Sequence, residues 1–185
     1  MKTAVMMWLI AVPTALYGQG AERVLSKKCV ALVGKHYDKI KGETTYTAPL
    51  TGLKVKNNEG EGINILWMLS KNEHVIHLTL STSQEQCIDS DAEINFLFKD
   101  ETRKTHQSDL KYNCGGLAAI SFAAVYKIST MTVFTTTELA SMRLHTLRNF
   151  IDVDLNSDQA SKLMHSAGCL REQMEIDNLR TTEQQ

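Results

Sequence analysis

Apolar side chains that recur at every second position are the feature that most limits how this 185-residue chain can fold. The alternation runs through residues 63–69, resumes at 75–80 after a polar stretch at 71–73, and returns at 94–98. Successive side chains of a β-strand point to opposite faces, so each segment predicts a strand with one buried face. The first two segments, joined by a short polar turn, predict a hairpin.

Three further segments complete the predicted β-structure. Residues 118–126 are mostly apolar and predict a buried strand, while residues 141–147 and 150–155 predict a final pair. We interpret the threonine-rich stretch TVFTTTEL at 132–139 as strand and turn residues. The two glycines of NCGGL, at 113–117, predict a bend rather than a phosphate-binding loop.

Helical spacing is found near both ends of the chain. Apolar positions within residues 21–41 predict a short amphipathic helix that ends near Gly34. A second helix is predicted to begin with Asn156 or Ser157 as its N-cap, and Gln159 stands close to a capping-box position. Its apolar face comprises Ala160, Leu163, Met164 and Ala167.

The end of this second helix has two interpretations. Gly168 and Cys169 predict an end or a kink, and the polar residues 171–185 either extend the helix or fray. Together the elements predict one α+β domain over residues 21–185. In it, an antiparallel, twisted sheet is covered by the N-terminal and C-terminal helices.

The first twenty residues have the layout of a secretory signal peptide. Lys2 precedes an apolar run over residues 4–16, and small residues follow, which predicts cleavage between Gly18 and Ala21. No later apolar stretch is long enough to cross a bilayer, since the longest, at 117–125, has nine residues. The chain is therefore expected to be exported to the periplasm or secreted.

The charge distribution argues against a nucleic-acid partner. The formal net charge is −1, and no run or stripe of basic residues is present to displace counterions from a phosphate backbone.

The four cysteines all follow the predicted signal peptide, and an even number in an oxidising compartment favours disulfides. A hairpin centred on Asp100 and Glu101 would place Cys87 opposite Cys114, because each lies thirteen residues from the turn. By elimination, Cys29 is expected to pair with Cys169. None belongs to a CxxC pair, so neither a zinc site nor a redox motif is indicated.

A calcium loop is the most specific metal site that the sequence suggests. Four oxygen-bearing residues follow the spacing of an EF-hand loop, namely Asp152, Asp154, Asn156 and Asp158. However, Ser157 occupies the glycine position and Leu163 the position of the bidentate glutamate. We therefore interpret Asp152 and Asp154 as a solvent-facing carboxylate row on a strand, and we expect neither a metal nor another cofactor.

Catalytic residues are equally weakly indicated. The histidines are scattered along the chain at His36, His74, His77, His106, His145 and His165. His74 and His77 would point to opposite faces of one strand, which does not suit a shared metal. The remaining catalytic hypothesis is a hydrolase site assembled from Asp152, Asp154 and His145.

Three stretches carry a resemblance to a family of small exported proteins of Gram-negative bacteria that has no established activity. They are YDKIKGETTYTAPL at 37–50, INFLFKDETRK at 94–104 bracketed by Cys87 and Asn113-Cys114, and ASMRLHTL at 140–147, followed by a helix ending in GCL at Leu170. Similar proteins usually carry glycine after the turn aspartate, where this chain has Glu101. The resemblance implies the same exported β-rich fold and no catalytic residue.

These observations favour a non-catalytic exported protein that binds a protein partner or a small ligand. Two alternatives stay open, namely the exported hydrolase described above and a structural or envelope-assembly protein.

Overall fold

The computed structural model describes residues 24–82, 86–123 and 128–182. The predicted signal peptide and its cleavage site lie outside these residues. The helices within them are α1 (Lys27–Val30), α2 (Ile128–Thr136) and α3 (Ser157–Thr182). The strands are β1 (Gly34–Asp38), β2 (Glu43–Lys56), β3 (Gly62–Ser70), β4 (Val75–Thr82), β5 (Glu93–Phe98), β6 (Arg103–Gln107), β7 (Leu117–Ala123), β8 (Leu139–His145) and β9 (Phe150–Asp154).

The predicted α+β class is confirmed, and the strands divide between two antiparallel sheets. The large sheet has the order β1-β2-β3-β4-β7, and the small sheet has the order β6-β5-β8-β9. The burial of side chains alternates as the sequence of the hairpin at 63–80 predicted. Ile65, Trp67 and Leu69 face the core, while their neighbours are half-buried.

A register shift in β2 depends on a glycine. The pairing of β2 with β3 changes between Ala48 and Leu53, and Gly52 lies there with a φ of +70°. A Cβ at this position would stand 2.6 Å from Asn64 Oδ1, so a side chain would have to displace that amide. Gly52 therefore allows β2 to change its register with β3 while the two strands remain paired in one sheet.

One hydrophobic core joins both sheets and the helices, with Phe134 of α2 at its centre. Its ring centroid lies 5.5 Å from that of Trp67 in the large sheet, and 5.0 and 5.1 Å from those of Phe96 and Phe98 in the small sheet. These are edge-to-face contacts, the geometry that aromatic quadrupoles prefer. Helix α2 thus connects the two sheets mainly through Phe134, with Met131 buried in the same core.

Helix α3 begins with the predicted capping box. Gln159 N donates to Asn156 Oδ1 at 2.9 Å, and Asn156 N donates to Gln159 Oε1 at 3.0 Å. The helix then runs through Gly168, so of the two predicted outcomes an end at this point is wrong, and residues 171–182 extend the helix. Leu170 and Met174 continue its buried face beyond the glycine, and that packing outweighs the low helix propensity of glycine.

Three other sequence-based predictions are corrected. The N-terminal helix is only the four residues of α1, because Gly34 already begins β1. Part of the threonine-rich stretch is helical, since its residues 132–136 belong to α2. His74 lies in the turn before β4 with a φ of +52°, so it does not share a strand with His77.

Both predicted disulfides are present, Cys29–Cys169 and Cys87–Cys114. The strand register behind the second one was nevertheless wrong. A three-residue loop at 99–101, with Glu101 at a φ of +66°, centres the β5–β6 pairing on Asp100. An extra residue between Ser108 and Asn113 then shifts the pairing, and the Ile88–Asn113 bridge brings the cysteines together.

None of the helices within the described residues is long and apolar enough to cross a membrane.

Candidate functional site

The outer face of the small sheet carries the densest arrangement of interacting polar side chains. We call it the small-sheet face. Alternate residues of the four strands project from it, namely Asn95, Leu97, Arg103, Thr105, Ser141, Arg143, His145, Phe150, Asp152 and Asp154. Their inward neighbours Phe96, Met142 and Val153 are buried in the core. A shallow groove of about 580 Å³ lies on this face.

An arginine–aspartate pair joins the neighbouring strands β8 and β9 on the small-sheet face. Arg143 of β8 is directly opposite Asp152 of β9, and two parallel hydrogen bonds join them, Nε to Oδ1 and Nη2 to Oδ2, each 2.7 Å long. These bonds from Arg143 hold the pKa of the Asp152 carboxyl below its ordinary value, and they raise the pKa of the arginine. Both groups are therefore charged at neutral pH.

An aromatic ring fixes the same arginine from a second direction. The guanidinium carbon of Arg143 lies 4.0 Å from the centroid of the Phe150 ring, which is a cation–π contact. The side chains of Arg143 and Asp152 nevertheless remain 44% and 50% exposed. The charged group is thus held in position while staying open to solvent.

A row of amide and hydroxyl groups extends this arrangement across the sheet. Asn95 of β5 is opposite Arg143 on one side and Thr105 on the other. Thr105 Oγ1 donates to Asn95 Oδ1 at 2.6 Å, and Asn95 Nδ2 lies 3.2 Å from His145 Nε2. Side-chain contacts therefore run from β6 through β5 to β8, and Asn95 reaches β8 at His145, diagonally from its opposite residue Arg143.

The small-sheet face has opposite charges at its two edges. Arg103 lies on β6, whereas Asp154 lies on β9 opposite Ser141. A second groove, of about 440 Å³, adjoins β9, and its charged lining comprises Lys56, Glu59, Glu61, Asp152 and Asp154, which is acidic on balance. The face is therefore basic towards β6 and acidic towards β9.

The structure places the three residues of the hydrolase hypothesis on this one face, but in unsuitable surroundings. Asp152 is hydrogen-bonded by Arg143, and the resulting low pKa makes it a poor proton acceptor. His145 contacts an asparagine, and its ring centroid lies 6.2 Å from that of Phe150. In this arrangement Asp152 is the hydrogen-bond partner of Arg143, and His145 lies beside Asn95 and Phe150.

One of the four candidate calcium ligands already has a structural role. The Asn156 side chain caps α3, so its oxygen is already an acceptor for the N–H of Gln159. Within residues 24–82, 86–123 and 128–182, no group of three or more His, Cys, Asp or Glu residues is placed to hold a metal ion.

Two serine–histidine contacts lie elsewhere in the molecule. His77 Nδ1 is 3.0 Å from Ser121 Oγ on the outer face of the large sheet, and His165 Nδ1 is 3.3 Å from Ser161 Oγ on α3. Glu73 lies 3.9 Å from His77 Nε2, which is too far for the hydrogen bond that orients a catalytic imidazole. Neither contact forms a triad.

Sequence reasoning missed Arg143, Asn95 and Phe150 as parts of the site. The signal was present for the first, because a hairpin closed between Thr146 and Asn149 puts Arg143 directly opposite Asp152. Asn95 is brought alongside by a pairing between β5 and β8, strands that are distant in sequence, which local patterns do not reveal.

Comparison of this chain with protein-family models, with curated proteins and with solved structures finds no match.

Proposed function

We propose that the protein is exported and non-catalytic, and that it binds a protein partner through the small-sheet face. The observation that carries this proposal is the fixed position of Arg143 between the Asp152 carboxylate and the Phe150 ring. Arginine and aromatic side chains dominate the energetics of protein interfaces. An arginine held in one orientation before binding loses less conformational entropy when the partner arrives.

Export is supported by three features. Two disulfides are the expected chemistry of an oxidising compartment. The first twenty residues have the charge, apolar run and small residues of a signal peptide, which favours the periplasm or secretion. The resemblance to exported proteins of Gram-negative bacteria points to the same compartment.

A protein partner suits the small-sheet face better than a small ligand does. Small-molecule sites are concave and enclose most of the ligand, whereas this face is an open sheet surface with a shallow groove. The opposite charges at its two edges would orient a partner that presents acidic groups over Arg103 and basic groups over Asp154. The same charges disfavour a partner that presents basic groups over Arg103 and acidic groups over Asp154.

Site-specific photo-crosslinking in the exported fraction tests this proposal. A photoreactive residue at Leu97, on the small-sheet face, is expected to capture a defined protein, while one at Thr79, on the outer face of the large sheet, is not. Arg143→Glu should weaken capture at least about tenfold. The matched control is Arg171→Glu, which reverses an arginine charge on α3. Identical adducts at both positions, or capture unaffected by Arg143→Glu, would refute the proposal.

A further inference from the structure

The turn between β1 and β2 presents the most exposed large apolar side chain of the described residues. Ile40, in the loop that joins these strands, is 98% exposed. We call residues 39–41 the β1–β2 tip. A single exposed apolar residue needs no explanation by itself, and Ile40 is distinguished by the residues that surround it.

Cations flank the isoleucine on both sides. Lys39 and Lys41 are exposed neighbours of Ile40, and Lys35 is exposed on β1. None of these lysines forms an ion pair with another described residue. Tyr37, one step from the loop, is 54% exposed and adds an aromatic ring with a polar end.

The carboxylates near the tip lie at its base. Asp38 and Glu43 form the last residue pair before the loop. Asp38 Oδ1 accepts hydrogen bonds from Ile40 N at 2.8 Å and Lys41 N at 3.1 Å, which hold the pKa of this carboxyl below its ordinary value. Its charge acts mainly on the backbone of the loop and to a smaller extent on the Lys41 ammonium, and the two hydrogen bonds fix the loop that presents Ile40 and the two lysines.

We propose that the β1–β2 tip docks on an anionic phospholipid bilayer, with Ile40 entering the headgroup region and Lys39 and Lys41 contacting lipid phosphates. Interfacial membrane binding combines a buried apolar side chain with lysines that extend to the anionic surface. Tyrosine is favoured at the same depth, which suits Tyr37. This interaction is separate from the proposed partner-binding face.

An acidic protein is the less fitting occupant of the tip. Protein interfaces are built around a cluster of side chains packed into complementary pockets. The tip instead offers one apolar side chain at the end of a hairpin, and a bilayer needs no matching pocket to receive it. Because the whole chain has a formal net charge of −1, attraction to an anionic surface must come from this local group of lysines.

Vesicle co-sedimentation of the purified, disulfide-bonded protein tests the proposal. The protein should bind vesicles of phosphatidylcholine containing phosphatidylglycerol, and should bind vesicles of phosphatidylcholine alone far more weakly. Removing one lysine charge, as in Lys39→Gln or Lys41→Gln, is expected to lower the partition coefficient about fivefold. Ile40→Ser is expected to lower it about tenfold.

Matched substitutions outside the tip provide the controls. Leu147→Ser changes another exposed apolar residue, and Lys104→Gln or Lys111→Gln removes the same charge elsewhere. These variants should bind like the parent protein. Failure of the parent protein to bind anionic vesicles, or equal losses in tip and control variants, would overturn the proposal.

A second measurement separates lipid insertion from attraction to any polyanion. In protein that lacks residues 1–20, and with them Trp8, Ile40→Trp places a fluorophore at the tip, while the other tryptophan, Trp67, is fully buried and insensitive to the surface. Anionic vesicles should shift the emission of this variant to shorter wavelength, and soluble polyglutamate should not. Polyglutamate binding as tight as vesicle binding, and unaffected by Ile40→Ser, would assign the tip to an acidic protein and refute the lipid proposal.

Discussion

The two disulfides differ in burial, in the length of chain that they close and in what lies around them. Cys29 and Cys169 are 5% and 4% exposed and join α1 to α3 across 140 residues. Cys87 and Cys114 are 27 residues apart, and Cys114 is exposed. The first therefore holds the two ends of the domain together, whereas the second fixes local structure at the surface.

The surroundings of the second disulfide connect it to the proposed binding face. Leu147 N, in the turn between β8 and β9, donates to Cys87 O at 2.8 Å. Phe150, which contacts the Arg143 guanidinium, begins the strand that leaves this turn. Cys29–Cys169 thus maintains the fold, whereas Cys87–Cys114 maintains one end of the small-sheet face.

The largest effect is expected from removing the disulfide that closes the longer loop. Cys29→Ala with Cys169→Ala should lower the free energy of unfolding by about 5 kcal/mol, because the unfolded chain regains the entropy of a 140-residue loop. Urea denaturation of the double variant against the parent protein measures this loss. A larger loss of unfolding free energy on removal of Cys87–Cys114 would contradict this assignment of roles to the two disulfides.

A smaller global effect, with a local consequence, is expected for the second disulfide. Cys87→Ala with Cys114→Ala should cost about 3.5 kcal/mol, since the closed loop is shorter. Amide hydrogen exchange should accelerate at Leu147, whose N–H is bonded to Cys87 O, more than at Ile76 in the buried centre of the large sheet. Uniform acceleration at both amides would show that this disulfide has no special relation to the face.

A polar contact beside the first disulfide gives the next smaller effect. Glu172 of α3 accepts hydrogen bonds from Ser26 N at 2.8 Å and from Ser26 Oγ at 3.2 Å. Glu172→Ala should therefore lower the free energy of unfolding by about 1 kcal/mol. Glu175→Ala is the control on the same helix, because Glu175 forms a surface i,i+4 contact with Arg171 and its loss should cost less than about 0.5 kcal/mol. Equal losses would mean that Glu172 does not anchor the N-terminal segment.

Local patterns predicted the parts of the fold whose burial follows a single period. The strands around Trp67 and Phe96 alternate strictly, and the capping pair Asn156–Gln159 marks the start of α3. Helix α2 was missed because its sequence ISTMTVFTT is rich in β-branched residues, which favour strands. Burial of Phe134 among the aromatic rings of both sheets overrides that preference, and such long-range packing leaves no local signature.

The difference between local patterns and long-range packing also explains which parts of the candidate site were predicted and why β1 was missed. The carboxylate row of Asp152 and Asp154 was predicted correctly, since it depends only on alternation within β9. The pairing of Asp152 with Arg143 required the hairpin register, and the position of Asn95 required the order of strands in the small sheet. Strand β1 was missed because its residues 35–37 are all exposed at a sheet edge and have no apolar period to detect.

The smallest effect concerns the acid dependence of the Arg143–Asp152 pair. Because the pKa of Asp152 is depressed in the folded protein, the pair stabilises the fold fully above the unfolded value of about 4. That contribution is lost as pH falls through the lower folded value. Asp152→Asn should remove this dependence and shift Tm at neutral pH by less than about 2 °C, since both side chains are half-exposed.

Thermal unfolding between acidic and neutral pH, in the parent protein and in a double-mutant cycle with Arg143→Gln, measures this contribution. If Asp152→Asn has the same effect in the Arg143→Gln background, the two residues are not coupled and Arg143 is not held by its carboxylate partner. If the coupling between Arg143 and Asp152 is unchanged after removal of Cys87–Cys114, the hydrogen-bonded pairing of β8 with β9 is sufficient to keep the small-sheet face rigid. Loss of coupling together with that disulfide would assign the rigidity to the covalent link at the end of the face.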